Sequence, residues 1–176
     1  MDRPEEIRHN AGAENVGGQQ PDLKRGQHLH ASALKDHFLT TLSLPQEAAQ
    51  WLLDIWACIQ LFDDVADGDR IDRDDLDRVI WATLVEMPAN PFFASRSALL
   101  IPVLATQILK WQASDAIERA GNADAKTYMW RAGYYDLIAF VVQLCHGRDV
   151  AQTIAPTVLS LYGEDLNEYI SEFCNA

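Results

Sequence analysis

Eight aspartates fall between Asp63 and Asp77, at the end of a strongly apolar run. Three of them, Asp63, Asp64 and Asp67, are spaced three and four residues apart, which on a helix sets them on one face about a turn from each other. Like charges so placed repel by roughly a few tenths of a kcal/mol per pair when solvated, and by more when partly buried. A cation removes that penalty. Oxygen ligands of this kind suit Mg²⁺, which keeps several waters and binds through one or two carboxylates together with the phosphates of a substrate. Asp63, Asp64 and Asp67 are therefore candidate metal ligands. The remaining members, Asp69, Asp72, Asp74, Asp75 and Asp77, are interleaved with Arg70, Arg73 and Arg78 and read as a solvated helix end and loop.

A second candidate lies further on. Between Tyr134 and Cys145 a helical stretch is apolar all round except for Asp136 and Gln143, which are seven apart and so share one stripe. A carboxylate in such a setting must be paired, neutralised, or turned to water or metal.

The run Leu61-Phe62-Asp63-Asp64-Val65-Ala66-Asp67-Gly68 resembles the first aspartate-rich motif, DDxxD, of class I isoprenoid synthases, in lettering closest to the squalene/phytoene synthase and bacterial terpene cyclase branches. Tyr134 to Val142 is similar to the YxxxVAxxV stretch of squalene and phytoene synthases, with Ile138 for the valine before the alanine and Phe140 and Gln143 for the glycines. Asn167-Glu168-Tyr169-Ile170-Ser171 resembles the start of the second metal motif of terpene cyclases, whose closing Glu is here Asn175. The resemblance implies a compact isoprenoid-synthase-like bundle in which Asp63, Asp64 and Asp67, joined by Asn167 and Ser171, hold Mg²⁺ on a prenyl or terpenoid diphosphate. Asp136, Tyr134 and Arg131 would be its catalytic residues, Arg70 and Arg131 would share the diphosphate charge, and Phe62, Tyr134 and Tyr135 would line an apolar pocket. The chemistry implied is that of a transferase or synthase. The family's catalytic domains are usually much longer, so a shortened relative that keeps the fold without the reaction is implied equally.

Other readings of the same residues stay open. Asp64 to Asp75 has the length of an EF-hand loop, but Ala66 stands at the third position and Gly and Asp are exchanged at the fifth and sixth, so the ligand count and the sharp turn both fail. Glu47, Asp54, Asp64 and Asp67 imitate the acidic pairs of an all-α nucleotide pyrophosphohydrolase, without its ExxE pair. A non-catalytic helical accessory protein, binding a partner through its acidic face or N-terminal arm, is the alternative outside enzymology, and a homo-oligomer or a protein partner fits it.

Composition narrows the field. A net charge of −12 with only 14 scattered Lys and Arg argues against an extended nucleic-acid surface and against anionic membranes. Cys58, Cys145 and Cys174 show no CxxC spacing and read as reduced packing residues. Met1 to Gln27 has no apolar core and no run of 18 uncharged apolar residues is present, so neither a signal peptide nor a membrane span is expected, and a cytoplasmic location is.

The elements that must position these residues are helical throughout. Residues 1–27 are Gly-, Gln- and Asn-rich and read as a flexible arm; 28–176 reads as one domain. Helical spacing predicts segments over His28–Leu42, from Pro45 at a first-turn position to Asp67 with Gly68 as the stop, and over Asp75–Met87 capped by Asp72 or Asp74. A long helix follows over Phe92–Ala120, where Pro102 predicts a kink or short break, then one from Asp124 to His146. Val150–Cys174 divides at Tyr162-Gly163. No alternating strand pattern occurs, so the fold class is all-α, a bundle of about six to eight helices.

Overall fold

A computed structural model describes residues 31–161 and 165–174, with the side chains of Glu172 and Cys174 left aside. The arm expected over residues 1–27 lies outside the described residues. Those described form eight helices and no strand.

Helix α1 covers residues 31–41 and ends in a wide π-helical turn, His37–Thr41. Leu34, Phe38 and Leu42 recur every fourth residue and are all buried. Ser43 then adopts a left-handed backbone (φ 49°), reversing the chain. Pro45 stands just ahead of α2 (Gln46–Asp67) in an extended conformation, rather than inside its first turn, and its carbonyl accepts from Ala49 N–H at 3.0 Å. At the other end Gly68 takes φ 78°, a value that favours glycine, and its N–H closes on Asp64 and Val65. The predicted stop is thus observed.

Asp72 caps α3, accepting from Asp74 N–H at 3.0 Å. This helix runs over Arg73–Trp81, widens to a π turn at Ala82–Glu86 and ends as Met87–Ala89. The wide turn takes up an extra residue just before Pro88, which cannot donate to a helical carbonyl. Val79 and Ala82, three apart, are buried, while Ile80 and Leu84 lie off that stripe and are exposed.

Asn90 begins α4 (Pro91–Arg119): its Oδ1 accepts from Phe92 and Phe93 N–H, and its Nδ2 donates to the Glu47 carbonyl at 3.0 Å, fixing the start of α4 to the start of α2. The helix passes Pro102 without the break that a proline suggests; this residue faces outward and its carbonyl accepts from Thr106 Oγ1. A reciprocal capping box between Asp124 and Thr127 opens α5 (Ala125–Arg131). The helix expected to continue to His146 is in fact two. The chain breaks at Ala132, and α6 (Gly133–His146) begins where Gly133 lies so close to α4 that a β-carbon there would stand 2.3 Å from Gln107 Oε1. After Gly147, α7 runs over Arg148–Leu159 and α8 over Leu166–Cys174, so the chain divides in the expected interval, although Tyr162 and Gly163 lie outside the described residues.

The core forms between α1, α2, α4 and α6. Trp51 stacks on Phe93 at 5.7 Å, and the Leu137-Ile138 and Val141-Val142 pairs of α6 are fully enclosed. Side chains of this size each gain about 1.5–3 kcal/mol on burial. Phe62, placed by its spacing on the apolar stripe of α2, is 53% exposed. Cys58 is buried and free, its thiol pushed up to about 11 by burial and then by Asp54.

Candidate functional site

The three aspartates that end α2 do not converge. Asp63 turns toward α4 and α5, where its Oδ1 accepts from Arg131 Nη2 at 2.7 Å and from Trp111 Nε1 at 3.3 Å. Arg131 donates its other arm, Nη1, to Glu118 Oε2 at 2.6 Å, and Glu118 Oε1 accepts from the Tyr169 hydroxyl. The Glu118 side chain is only 3% exposed. Asp63, Arg131, Glu118 and Tyr169 therefore form one continuous chain of polar contacts joining α2, α5, α4 and α8. Burial alone would lower the Arg131 pKa, but Asp63 and Glu118 outweigh it and hold the guanidinium charged more firmly than in water. A buried carboxylate with this arrangement is compensated rather than reactive.

Asp64, one residue on and so rotated by about 100°, faces away from that network. It lines a cleft of about 820 Å³ between α1, α2 and α3, whose polar wall includes Asp54, Asp72, Asp75, Arg78 and Lys35 and whose apolar floor includes Leu53, Trp56 and Leu61. Partial burial raises the Asp64 pKa, and Asp69, Asp63, Asp67 and Asp75 raise it further. Asp54 is raised likewise by burial, which outweighs the hydrogen bond from Gln50 at 2.8 Å. Asp67 is exposed; its pKa is raised by burial and by Asp63, with Arg131 opposing. Among the described residues no three Asp, Glu, His or Cys groups come together as a metal site.

The expected catalytic residues lie apart from this cleft. Tyr134 is buried, donates its hydroxyl to the Leu52 carbonyl at 2.7 Å and has its pKa raised well above the usual phenol value, by burial first. Tyr135 packs edge-on against it. Asp136 pairs with Lys110 at 2.5 Å and, with Gln143, lines a separate open groove of about 490 Å³ between α6 and α7, so the shared stripe inferred from their spacing is present. Asn167 and Ser171 are exposed on α8, two residues either side of the inward-facing Tyr169, and Ser171 Oγ donates to the Glu168 carbonyl at 2.8 Å. Asn175 is outside the described residues. Arg70 is exposed. Of the other acidic candidates, Glu47 is exposed at the start of α2, while Asp54 and Asp64 share the cleft.

Spacing toward one motif left Trp111, Glu118 and Tyr169 unnoticed. A signal for two of them existed: Trp111, Ser114 and Glu118 follow one helical stripe, and a lone Glu on such a stripe demands a partner.

The largest feature outside these groups is the outer face of α4. Leu99, Ile101, Ile108, Leu109 and Ile117 are between 43% and 65% exposed. From Ala94 to Ile117 every exposed residue is uncharged, and Arg96, Lys110 and Asp115, the charged residues at 94–117, are half-buried. By length and composition α4 is long and apolar enough to cross a bilayer, although the sequence has no uninterrupted run of that length because Arg96 and Lys110 divide it. No protein-family model, no curated protein and no solved structure matches the chain.

Proposed function

We propose that this protein works by binding a partner through α4, as a non-catalytic helical accessory or assembly protein. The observation that carries the reading is an outer helix face, 94–117, with five large aliphatic side chains exposed and no exposed charge, on a chain of net charge −12. Apolar surface left in water on this scale marks interaction surfaces. Leu109→Glu tests it. The side chain is exposed, so the substitution should change stability by no more than about 0.5 kcal/mol. Wild type should bind an environment-sensitive apolar dye, or exceed the monomer mass in sedimentation, and the variant should do neither. Wild type that is monomeric and binds no more dye than the variant sinks the reading.

A second reading rests on Asp64. Its place on an apolar-floored cleft, with Lys35 and Arg78 on the same walls, supports a Mg²⁺-bridged diphosphate ligand of the isoprenoid-synthase kind. The three-carboxylate grip that the DDxxD resemblance implies is not assembled, since Asp63 is committed to Arg131 and Asp67 is outside the cleft. No reaction step is therefore assigned. Mg²⁺ with inorganic diphosphate should raise the melting temperature of wild type and not of Asp64→Ala; at a hundred times its dissociation constant the ligand adds about 2.7 kcal/mol. Equal shifts in both proteins would remove this reading.

A further inference from the structure

The geometry points to a second copy of this chain as the partner of α4, packed antiparallel about a twofold axis that meets the helix within a turn of Ala105. This rests on the partner-binding reading above and names the partner.

The middle of the exposed face of α4 is alike in both directions, with Leu99 and Ile117 standing outside the correspondence. Outward from Ala105, the bulky residues Ile101 and Pro102 on one side answer Ile108 and Leu109 on the other, and beyond them lie small or uncharged residues, Ala94 and Ala98 against Gln112 and Ala116. A twofold axis across the helix near Ala105 sets Ile101 and Pro102 of one copy against Leu109 and Ile108 of the other, so apolar side chains meet apolar side chains on both sides of the axis, as a closed, self-complementary interface requires. The small Ala105 at the centre lets two helices approach to about 8–10 Å, with the aliphatic side chains on either side filling the space between them. Antiparallel packing also sets the two helix dipoles in their favourable sense.

Charge favours the same occupant. Two chains of net charge −12 repel at a distance and can touch only where neither presents a carboxylate; the exposed part of 94–117 meets that condition. Fourteen exposed residues lie on this strip, fewer than the roughly 20–30 per side of a standard interface, so a reversible rather than an obligate pair is expected. Other occupants fit less well. A bilayer surface calls for basic residues beside the apolar face, and none is exposed within 94–117. Residues 1–30 of the same chain supply only Ile7, Val16, Leu23 and Leu29 as branched aliphatic side chains, too few to cover the strip.

Sedimentation equilibrium of the full chain should show a reversible monomer–dimer transition that Leu109→Glu abolishes, with the helical circular dichroism unchanged. Cross-linking with a short bis-maleimide, in a Cys174→Ser background and with that background as the blank, reads the direction. Ala105→Cys should cross-link to itself. Ala94→Cys alone and Ala116→Cys alone should not, since each lies about 30 Å from its own copy in the antiparallel pair, whereas an equal mixture of the two should. Self-linking of all three variants would mean a parallel pair and overturn the proposal. A wild type that is monomeric throughout also overturns it. If that monomer still binds apolar dye in a Leu109-dependent way, the partner is another protein and the broader reading stands. If it floats with neutral phosphatidylcholine vesicles, the partner is a bilayer. If it does neither, both readings fail.

Discussion

Replacing Arg131 by methionine keeps much of the side-chain volume and removes the charge that two carboxylates share. Asp63, 29% exposed, still has water and the Trp111 N–H. Glu118, 3% exposed, is left with the Tyr169 hydroxyl alone. Breaking a buried ion pair from one side costs about 3–5 kcal/mol, because the abandoned charge stays desolvated. In a chain of this length each kcal/mol lowers the melting temperature by about 2–4 °C, so Arg131→Met should lose about 6–20 °C. Urea unfolding followed by circular dichroism measures the free energy. The double variants carry the argument, because they show where the cost sits. Adding Glu118→Gln to Arg131→Met should recover about half or more of the loss, since a neutral amide is far cheaper to bury than an unpaired carboxylate. Adding Asp63→Asn should recover little. If Arg131→Met costs less than about 1 kcal/mol, or if the Asp63 double recovers as much as the Glu118 double, the account of this network is wrong.

Stability should also respond to acid through the cleft and the adjoining end of α2. Asp64, Asp67 and Asp54 have folded pKa values raised above their unfolded ones, so their ionisation opposes folding at neutral pH. As pH falls through the raised folded values toward the unfolded value of about 3.9, that penalty is relieved, and below it nothing more is gained. Asp124, lowered by its backbone hydrogen bonds, works oppositely, its stabilisation disappearing as pH falls through its folded value. Asp64→Asn should therefore be more stable than wild type at pH 7 and gain less on mild acidification in thermal melts; identical pH profiles would contradict this. Asn90→Ala removes the cap of α4 and its bond to the Glu47 carbonyl, and should cost about 1–2 kcal/mol in urea unfolding. Gly133→Ala should destabilise wild type by crowding Gln107, yet in a Gln107→Ala background it should stabilise by about 0.5–1 kcal/mol, the helix-propensity difference between the two residues. A destabilising effect of the same size in both backgrounds would show that the Gln107 contact is not the cause.

Most element ends were written in local chemistry that a sequence displays. Gly68 stops α2, Asp72 caps α3, Asn90 precedes a proline at the head of α4, and Asp124 with Thr127 opens α5. What local pattern could not show is the break at Ala132. Beside it Gly133 approaches Gln107 so closely that a β-carbon would clash, a contact between residues 26 apart in number whose sequences give no hint of each other. Burial was legible only in part: Leu34, Phe38 and Leu42 are inside as their spacing requires, even through the π turn at His37–Thr41, whereas Phe62 on the regular α2 and Leu84 in the π turn after Trp81 are exposed. The acidic site was read from a spacing that places three aspartates within one arc of a helix. That arc spans a boundary between two neighbours, so Asp63 meets Arg131 while Asp64 looks into the cleft. Spacing gives the direction of a side chain from its own axis and says nothing of what stands there.

The Asp63–Arg131–Glu118–Tyr169 network also bears on the order in which the molecule comes together. Its members are far apart along the chain: Asp63 and Arg131 are separated by 68 residues, Glu118 and Tyr169 by 51. Arg131 and Glu118, only 13 apart, can meet as soon as α4 and α5 fold against each other. The hydroxyl that completes Glu118 is synthesised last. Until α8 docks, the Glu118 carboxylate is open to water on that side, and the α4–α5 pair carries a wet, unfinished ion pair at its edge. A contact made after the folding barrier is crossed affects the unfolding rate and leaves the folding rate alone, and the docking of α8 on Glu118 is treated as such a contact. Weakening Tyr169 should then leave refolding rates nearly untouched while the folded protein comes apart faster, so the final helix acts as a latch on lifetime rather than as a guide to the fold.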